Sequence, residues 1–355
     1  MASLREFLQI GAVALGVDVG KSAIKAVELR RTPRGVEMSR FGIAPTPARA
    51  VEGGAILDRT AVARAVAALL RRSGIRRRRA VVAVTGPNVL ARVLRLPPIP
   101  EQEVKQAIRW EAERHLPIPV EEAVLDVQTV GETTEDGQRQ IEVLLAAAPE
   151  RLVVTHIETL AQAHLFVEAI EVGALAMTRA LLGRSPTGTQ VLINLGASTT
   201  DVAIVRGGVP QFTRTIPTGG DAITEALATQ LRIDTAKAEQ TKLRHGLGFG
   251  ESAERGATYA SEVLAAVEEL VTQLRRSLDF FRAQFPGASL DGAVLCGGGA
   301  RMRHLDSHLA TELELPVTIG TPFIDVHPAP AIEQAARDLA PQLVVAAGLA
   351  LRAIR

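Results

Sequence analysis

Two short glycine-containing segments carry the residue types that bind phosphate and magnesium. In the first, Asp18 precedes Gly20, Lys21 and Ser22. A glycine turn lets backbone N–H groups approach an anion with no Cβ in the way, and a carboxylate such as Asp18 can hold hydrated Mg²⁺. The segment ends in Gly-Lys-Ser, but three residues rather than four separate Gly16 from Gly20, and a strand is predicted to follow. Both facts argue against a Walker A loop.

A second glycine-containing segment repeats this chemistry in the other half of the chain. Gly196 is followed by the hydroxyl residues Ser198 and Thr199 and by the carboxylate of Asp201. Either turn alone is compatible with an ordinary hairpin. Two such turns that face each other across a cleft, each with one acid, can instead hold a polyphosphate and its metal ion between two lobes. The pair of turns therefore favours nucleotide binding.

Two further segments have the composition of a nucleoside pocket. An apolar strand runs into three glycines, among them Gly298 and Gly299, and a predicted helix follows. This arrangement points bare backbone at a ligand. Glu239 and Lys242 lie three residues apart, so they share one face of a predicted helix. Spacing alone leaves open whether this pair contacts an adenine or ribose or forms a surface ion pair.

The two turns belong to a repeated unit of three strands and a helix. Segments 15–29 and 192–205 each read as a buried strand, a turn and a second strand, and a third strand and a helix follow near 58–72 and 222–232. This alternation indicates an α/β protein with two lobes, each a mixed sheet covered by helices. The expected limits are 14–85 and 164–182 for lobe I, 86–163 for a subdomain inserted into it, 183–233 and 285–355 for lobe II, and 234–284 for a helical insertion of lobe II.

The expected insert contains a helix bounded by prolines over 101–116 and a hairpin formed by 123–130 and 141–148. Apolar residues such as Val104 recur at helical spacing along the helix. We therefore expect the helix to pack on the insert's own sheet, with Trp110, the sole tryptophan, as an anchor.

Composition and charge exclude several classes of protein. In 355 residues, 40 Lys and Arg oppose 39 Asp and Glu, so no global field steers the chain onto nucleic acid. Cys296 is the only cysteine, which excludes an internal disulfide and a thiolate zinc site and fits a reducing compartment. The apolar run 343–351 is about half the length of a membrane-spanning helix. No transmembrane segment is expected.

Four consecutive arginines, Arg76 to Arg79, lie between a predicted helix and a predicted strand. They have no aromatic neighbours in the sequence, and the net charge of the chain is close to zero. The run predicts a solvated connector, with contact to acidic lipids as the functional alternative.

The order of these elements resembles the superfamily of actin, hexokinase and Hsp70, in which ATP lies between two ribonuclease H-like lobes. Within it, the chain is similar to the PilM family of type IV pilus assembly proteins, which are relatives of the division protein FtsA. The resemblance covers about 14–353. It is carried by the segments 108–119 (IRWEAERHLPIP), 274–282 (LRRSLDFFR) and 347–352 (AGLALR).

The resemblance implies an actin-like fold with an FtsA-type insert in lobe I, and ATP or ADP bound with Mg²⁺. Carried over by position, Asp18 and Asp201 would hold the metal ion and its waters. Glu171, in the segment that joins the insert to lobe II, would be a water-positioning group or a simple interlobe hydrogen-bond partner. Phosphates would be held by Gly20, Lys21, Ser22, Gly196, Ser198 and Thr199, and the nucleoside by Glu239, Lys242, Gly298 and Gly299.

The resemblance also implies a function. Such a protein would be a cytoplasmic scaffold of the inner-membrane complex of a type IV pilus or DNA-uptake machine. It would bind the cytoplasmic N-terminal peptide of PilN in a groove between the insert and lobe I, with slow or absent ATP hydrolysis and possible contact with pilus motor ATPases. The alternatives within the superfamily are a small-molecule kinase and an FtsA-like filament-forming protein.

Overall fold

The computed structural model describes residues 13–135, 137–183, 187–247, 255–285 and 287–354. These residues form two α/β lobes and a small inserted sheet. The strands are β1 (Val13–Val19), β2 (Ala23–Thr32), β3 (Gly35–Pro45), β4 (Val51–Glu52), β5 (Ala55–Ile56), β6 (Arg79–Val84), β7 (Leu90–Leu96), β8 (Ala123–Glu135), β9 (Gln138–Pro149), β10 (Phe166–Val172), β11 (Thr189–Leu195), β12 (Thr200–Arg206), β13 (Val209–Ile216), β14 (Gly292–Cys296), β15 (Val317–Ile319) and β16 (Val326–Pro328).

The helices cover both faces of the two main sheets, which explains why the central strands read as continuous apolar runs. Helix formation follows local signals at several ends. The first helix begins after Asp58, whose carboxylate accepts a hydrogen bond of 2.9 Å from Ala61 N–H. The helices are α1 (Arg59–Arg72), α2 (Glu101–Ala112), α3 (Glu150–Gln162), α4 (Gly173–Leu182), α5 (Gly220–Leu231), α6 (Thr235–His245), α7 (Arg255–Gln284), α8 (Leu305–Leu313), α9 (Glu333–Asp338) and α10 (Ala340–Ala353).

Lobe I is built on a six-stranded sheet in the order β10-β6-β1-β2-β3-β16. The strands β1, β2 and β3 form an antiparallel meander, while β6 and β10 add to it in parallel. Lobe II repeats this arrangement in a five-stranded sheet, β13-β12-β11-β14-β15, with the same antiparallel meander and parallel additions. The predicted α/β fold with a repeated unit is confirmed.

The insert is a three-stranded antiparallel sheet, β7-β9-β8, whose buried face packs against α2. Val104 and Ile108 of α2 lie in this small core, as expected. Trp110 is not its anchor, because the side chain is 69% exposed. It lies on α2 outside the stripe that faces the sheet, where the helical period of the apolar residues leaves it in solvent.

Two segments lie in places that differ from the expected domain limits. Helix α3, expected in the insert, packs against α1, and its Leu160 lies in the core of lobe I. The expected assignment of 285–355 to lobe II also differs from the structure, because β16 pairs with β3 and α10 packs on β1 and β2. We therefore place the end of the insert near Pro149 and return 326–354 to lobe I.

Candidate functional site

The two glycine turns face each other across a cleft between the lobes. One wall is the turn between β1 and β2, and the other is the turn between β11 and β12. Of the residues expected to bind metal, phosphate or nucleoside, the lining includes Asp18, Gly20, Lys21, Ser22, Gly196, Ser198, Thr199, Asp201 and Gly298. Folding thus brings together two halves of a site that are far apart in the sequence.

Asp18 does not stand alone on the lobe I wall of the cleft. Its Oδ2 accepts a hydrogen bond of 2.9 Å from Lys25 Nζ. The two residues are direct cross-strand partners, because β1 and β2 pair in the register that sets Asp18 opposite Lys25. Both side chains are largely buried, at 15% and 18% exposed. The ion pair therefore places a lysine ammonium beside the carboxylate that was expected to hold the metal ion.

Asp201 has a different environment on the lobe II wall. Its Oδ1 accepts a hydrogen bond of 2.8 Å from Thr215 Oγ1, and its Oδ2 accepts one of 3.2 Å from Asn194 Nδ2. Burial raises the pKa of Asp201, and these two neutral donors offset only part of the shift. Among the described residues of lobe II, no cation lies within 4.0 Å of this buried carboxylate, which makes it a favourable place for a cation to bind.

Each hairpin carries its acid in an equivalent cross-strand pair beside the turn, but the acid lies on the first strand in lobe I and on the second strand in lobe II. Asn194 is the cross-strand partner of Asp201, just as Asp18 is the partner of Lys25. In lobe I the acid precedes the turn, whereas in lobe II it follows the turn. The repeated backbone therefore presents one carboxylate on each wall, with an ammonium beside one and an amide beside the other.

Lys21 connects the lobes at the mouth of the cleft. Its Nζ lies 3.1 Å from a carboxylate oxygen of Glu52 in lobe I and 3.0 Å from one of Asp221 in lobe II. Burial lowers the pKa of Lys21, but the hydrogen bonds to Asp221 and Glu52 outweigh it and raise the pKa above its ordinary value. Asp221 lies in the first turn of α5, where a helix N-terminus favours a carboxylate.

The third glycine segment follows β14 and borders the cleft where β11 and β14 end. Gly297 adopts a φ of +88°, and a Cβ there would meet Asn194 Oδ1 and Leu195 O at 2.5 Å, so only glycine fits. Gly298 faces open space, since no atom lies within 4 Å of the position of a Cβ. Gly299 is buried against Leu195 and does not line the cleft. Of the two glycines expected here, only Gly298 is positioned to contact a ligand.

Glu239 and Lys242 lie behind the second turn rather than in the cleft. Lys242 is buried, and its Nζ donates to Gly220 O at 2.9 Å, to Thr224 Oγ1 at 2.8 Å and to Glu239 at 2.6 Å. Gly220 N–H in turn donates to Gly196 O at 2.9 Å. The pair is thus neither a surface ion pair nor part of the cleft lining; Lys242 braces the start of α5, which holds the glycine turn.

This geometry can be compared with that of known proteins. A family model described as type IV pilus assembly protein PilM matches residues 16–354. The chain belongs to this family. In solved structures, the PilM-PilN type IV pilus biogenesis complex contains a chain that is 30% identical to this one, with a TM-score of 0.82, over 96% of this chain and 98% of that chain.

More distant relatives place the PilM family among actin-like proteins. The cell division protein FtsA of Pseudomonas aeruginosa is 24% identical over 359 residues, which cover 89% of this chain and 84% of FtsA. MreB5 of Spiroplasma citri bound to AMPPNP has a TM-score of 0.51 at 14% identity, over 95% of this chain and 94% of that chain; this likeness concerns the fold. The predicted actin-like fold and the relation to FtsA are confirmed.

A second concave surface of this PilM-family chain lies between the insert and the two lobes. We call it the insert groove. The insert contributes β8, which is an edge strand of its sheet, and β9. The lobes contribute β10, α4 and α10, together with the turn between β12 and β13 of lobe II. Its lining comprises Asp126, Val127, Gln128, Val130, Leu144, Ala146, Glu171, Leu175, Thr178, Arg179, Gly183, Gly207, Gly208, Val209, Pro210 and Arg352.

Glu171 belongs to the insert groove and does not line the cleft. Its carboxylate is buried and binds Arg179 through two hydrogen bonds, of 2.6 and 2.9 Å, and Arg352 through one of 3.1 Å. The expectation that Glu171 positions a water for hydrolysis is therefore not supported, because arginines outside the cleft already bind both of its oxygens.

Sequence reasoning missed polar residues that line the cleft, namely Lys25, Thr85, Asn194 and Gln342, and it missed Thr215, which binds Asp201 from outside the lining. The pairing of β1 with β2 would have revealed Lys25, because a short turn sets the residue before Val19 opposite the residue after Ile24. The same argument finds Asn194 opposite Asp201. Thr215 is the partner of Asp201 on β13, which becomes visible only once the third strand's register is known.

No helix among the described residues is both long and apolar enough to cross a bilayer.

Proposed function

We propose that this chain is an ATP-binding or ADP-binding scaffold of a type IV pilus or DNA-uptake complex at the inner membrane. It binds the nucleotide with Mg²⁺ in the cleft and the cytoplasmic N-terminal peptide of a PilN-like protein in the insert groove. It works in the cytoplasm and reaches the membrane through that partner. The observation that carries the proposal is the meeting of the two glycine turns, each with its own carboxylate, in a PilM-family fold.

The donor set of the cleft fits a magnesium nucleotide. Asp18 and Asp201 supply one carboxylate from each wall, and Mg²⁺ binds through one or two carboxylates together with waters and phosphates. Mg²⁺ screens the phosphate charge when it is bound. The side chains of Ser22, Ser198 and Thr199 would donate to phosphate oxygens, whereas the N–H groups of Gly20 and Gly196 already donate to Ala23 O and Thr199 O within their turns.

Two lysines contribute positive charge to the same site. Lys25 is held by Asp18 and lies in the lining of the cleft, so it supplies an ammonium beside the phosphates. Lys21, which pairs with Glu52 and Asp221 at the mouth of the cleft, would be the second cation available to a phosphate oxygen. The nucleoside lies toward Gly298, where the backbone borders open space.

The cleft favours binding over rapid chemistry. Among the described residues that line it, Asp18 and Asp201 are the carboxylates, and both are assigned to the metal ion. No third acid remains there to act as a general base for water or for a substrate hydroxyl. We therefore infer slow or absent hydrolysis, and the kinase alternative has no specific observation in its favour.

The insert groove suits an extended peptide. The edge of β8 offers unpaired backbone groups to an added strand, and Val130, Leu144 and Ala146 provide an apolar floor. Arg179 and Arg352 are one-third and two-fifths exposed, so they remain available to carboxylate or carbonyl groups of a peptide. Contact with the other members of the pilus complex, including its motor ATPases, follows from the same scaffold role.

Isothermal titration calorimetry with Mg-ATP tests the cleft. Asp18→Ala should abolish Mg²⁺-dependent binding, and Lys25→Ala should weaken it by about 10-fold to 100-fold, the effect of losing a hydrogen bond to a charged group. Lys237→Ala is the matched control, because Lys237 is an exposed lysine that pairs only with Asp234 among the described residues. Unchanged affinity in Asp18→Ala would refute the nucleotide site.

Hydrogen exchange with a synthetic PilN-like N-terminal peptide tests the groove. We expect protection of amides in β8, near Gln128, and in β10. Gln128→Trp fills the groove and should weaken peptide binding, whereas Thr134→Trp lies on the exposed part of the same strand, outside the groove lining, and should not. Protection confined to residues outside the groove lining would reject this site while leaving the nucleotide site untouched.

A further inference from the structure

The basic run forms part of a hollow on lobe I, at the N-terminal ends of β6 and β10. The hollow is lined by Arg71, Arg76, Arg78 and His164, and no Asp or Glu of the described chain lines it. Its volume is about 450 Å³, which is ample for a phosphate group. Four side chains that can each carry positive charge therefore converge on one concave surface.

The charges of this hollow are only partly balanced. Glu168 lies 3.4 Å from Arg77 and 2.5 Å from Arg79, so it accounts for the two arginines that point away from the hollow. Arg78 donates to the carbonyl oxygens of Ile75 and Arg77. Within the described residues, Arg71, Arg76 and Arg78 have no acidic partner within 4.0 Å. Their mutual repulsion is relieved by an anion between them.

An exposed aromatic ring borders the hollow. Phe166 is 58% exposed at the start of the edge strand β10. Its N–H donates to Arg78 O at 2.7 Å, and the Arg79 guanidinium carbon lies 4.7 Å from the centre of its ring. An apolar ring beside cations suits a bilayer surface, because headgroup phosphates bind the cations and the acyl chains a few ångströms away contact the ring.

We propose that this end of lobe I binds the surface of a bilayer that contains anionic phospholipid. The hollow takes a headgroup phosphate, held by Arg71, Arg76 and Arg78, and Phe166 enters the headgroup boundary beside it. A membrane fits better than nucleic acid: the hollow has one aromatic ring rather than a series for base stacking, and the chain carries a net charge of only +1.

The position of this surface is compatible with the insert groove but independent of it. Phe166 is the first residue of β10, and Glu171, in the groove, lies near its other end. A strand of seven residues spans about 20 Å. A lipid contact at one end of β10 therefore leaves the groove at the other end free. The proposal does not rest on nucleotide or peptide binding.

Vesicle flotation with the full chain tests the proposal. The vesicles are phosphatidylcholine alone, or phosphatidylcholine with a third of phosphatidylglycerol. We expect binding to the anionic vesicles only, with an affinity that falls as salt is added. The double variant Arg76→Glu with Arg78→Glu should bind at least about 10-fold more weakly. Phe166→Ala should lose about fivefold and keep the salt dependence of the parent.

The control double variant is Arg276→Glu with Arg303→Glu, which makes the same change of net charge on exposed positions of lobe II. It should bind like the parent protein, and circular dichroism should show all variants folded. Equal binding to neutral vesicles, or an equal loss in the control, would overturn the proposal. If glycerol phosphate at millimolar concentration competes, the site binds a free phosphate. If the protein binds duplex DNA but not vesicles, the site binds nucleic acid. Either result would overturn the proposal of a membrane contact.

Discussion

The two carboxylates of the cleft show how the same residue type is held in opposite ways. Asp18 has a cation, Lys25, at 2.9 Å, whereas Asp201 is buried and has only hydroxyl and amide donors. An ion pair compensates a buried charge, while neutral donors compensate it only in part. Without a bound cation, Asp201 therefore carries an energetic cost that Asp18 does not.

Replacing Asp201 by Asn should stabilise the nucleotide-free protein. The amide keeps an acceptor for Thr215, its NH2 group can donate to Asn194 once that side-chain amide turns its oxygen toward it, and the buried charge is removed. We therefore expect a gain of about 1 kcal/mol and a rise in Tm of about 2 °C. Asp18→Asn is the control and should lose stability, because Lys25 loses its partner. Thermal unfolding near neutral pH measures both, and a destabilised Asp201→Asn would contradict the account.

The gain should depend on pH in a defined direction. Burial raises the pKa of Asp201 in the folded chain above its ordinary value of 3.8, so the folded state binds this proton more tightly than the unfolded state. The cost of the ionised carboxylate is full above the raised pKa and disappears as the pH falls to 3.8. The advantage of Asp201→Asn should therefore shrink on acidification, and an advantage that grew instead would exclude Asp201 as its source.

The residues that sequence reasoning found in the cleft are those whose local chain makes a turn. Gly20 and Gly196 are visible because glycine and short polar residues interrupt apolar runs. Lys25 and Thr215 lie inside strands, and nothing in their immediate neighbours marks them. Their place in the site depends on strand register, a non-local property. The expectation that Glu171 positions a water is not supported, because its carboxylate is bound by Arg352, a partner so distant in the sequence that local reasoning cannot identify it.

At the scale of elements, α10 packs so closely against α4 and β1 that a side chain at either contact point would clash with backbone atoms. A Cβ on Gly348 would meet Ala176 O of α4 at 1.9 Å, and a Cβ on Gly16 would meet Ala346 O at 2.0 Å. The helix is therefore wedged between α4 and β1 at backbone contact. The sequence shows an apolar run over 343–351, but it does not reveal on which sheet this run packs, because an apolar face fits either lobe.

Gly348→Ala should destabilise the protein although alanine favours a helix by about 1 kcal/mol over glycine. The new methyl group forces α10 away from α4, and we expect a net loss of about 2 kcal/mol or more. Gly298→Ala is the matched control, since its Cβ would meet no atom within 4 Å and its φ is −64°. Urea unfolding compares them, and equal midpoints would show that α10 can shift at no cost.

At the scale of the whole molecule, a few polar contacts join parts that are distant in the chain. Lys21 links the two lobes through Asp221, and Thr213 of lobe II exchanges hydrogen bonds of 2.8 Å with the backbone of Ala91 in the insert. Glu171 binds Arg179 of α4 and Arg352 of α10. These contacts join the two lobes to each other and the insert to lobe II.

Removing the Glu171 carboxylate and removing its two arginine partners should destabilise the protein by different amounts. Glu171→Gln removes a buried charge and leaves two arginines that are partly in water, so we expect a cost of about 1 kcal/mol. Arg179→Met with Arg352→Met leaves Glu171 buried without a cation, and we expect about 3 kcal/mol or more. Urea unfolding of both variants measures the difference. A larger loss in Glu171→Gln than in the double variant would contradict the assignment of Glu171 as the buried member.

The return of β16 and α10 to lobe I has a consequence for the order in which the protein acquires its structure on the ribosome. The strands of lobe II follow one another from β11 to β15, so all of its sheet is synthesised before α10. Lobe I starts earlier in the chain but lacks the helix that covers β1 and β2 until residues 340–353 are translated. Lobe I is therefore synthesised first but completed last. The apolar face of its sheet that α10 covers stays uncovered by this helix throughout the synthesis of lobe II.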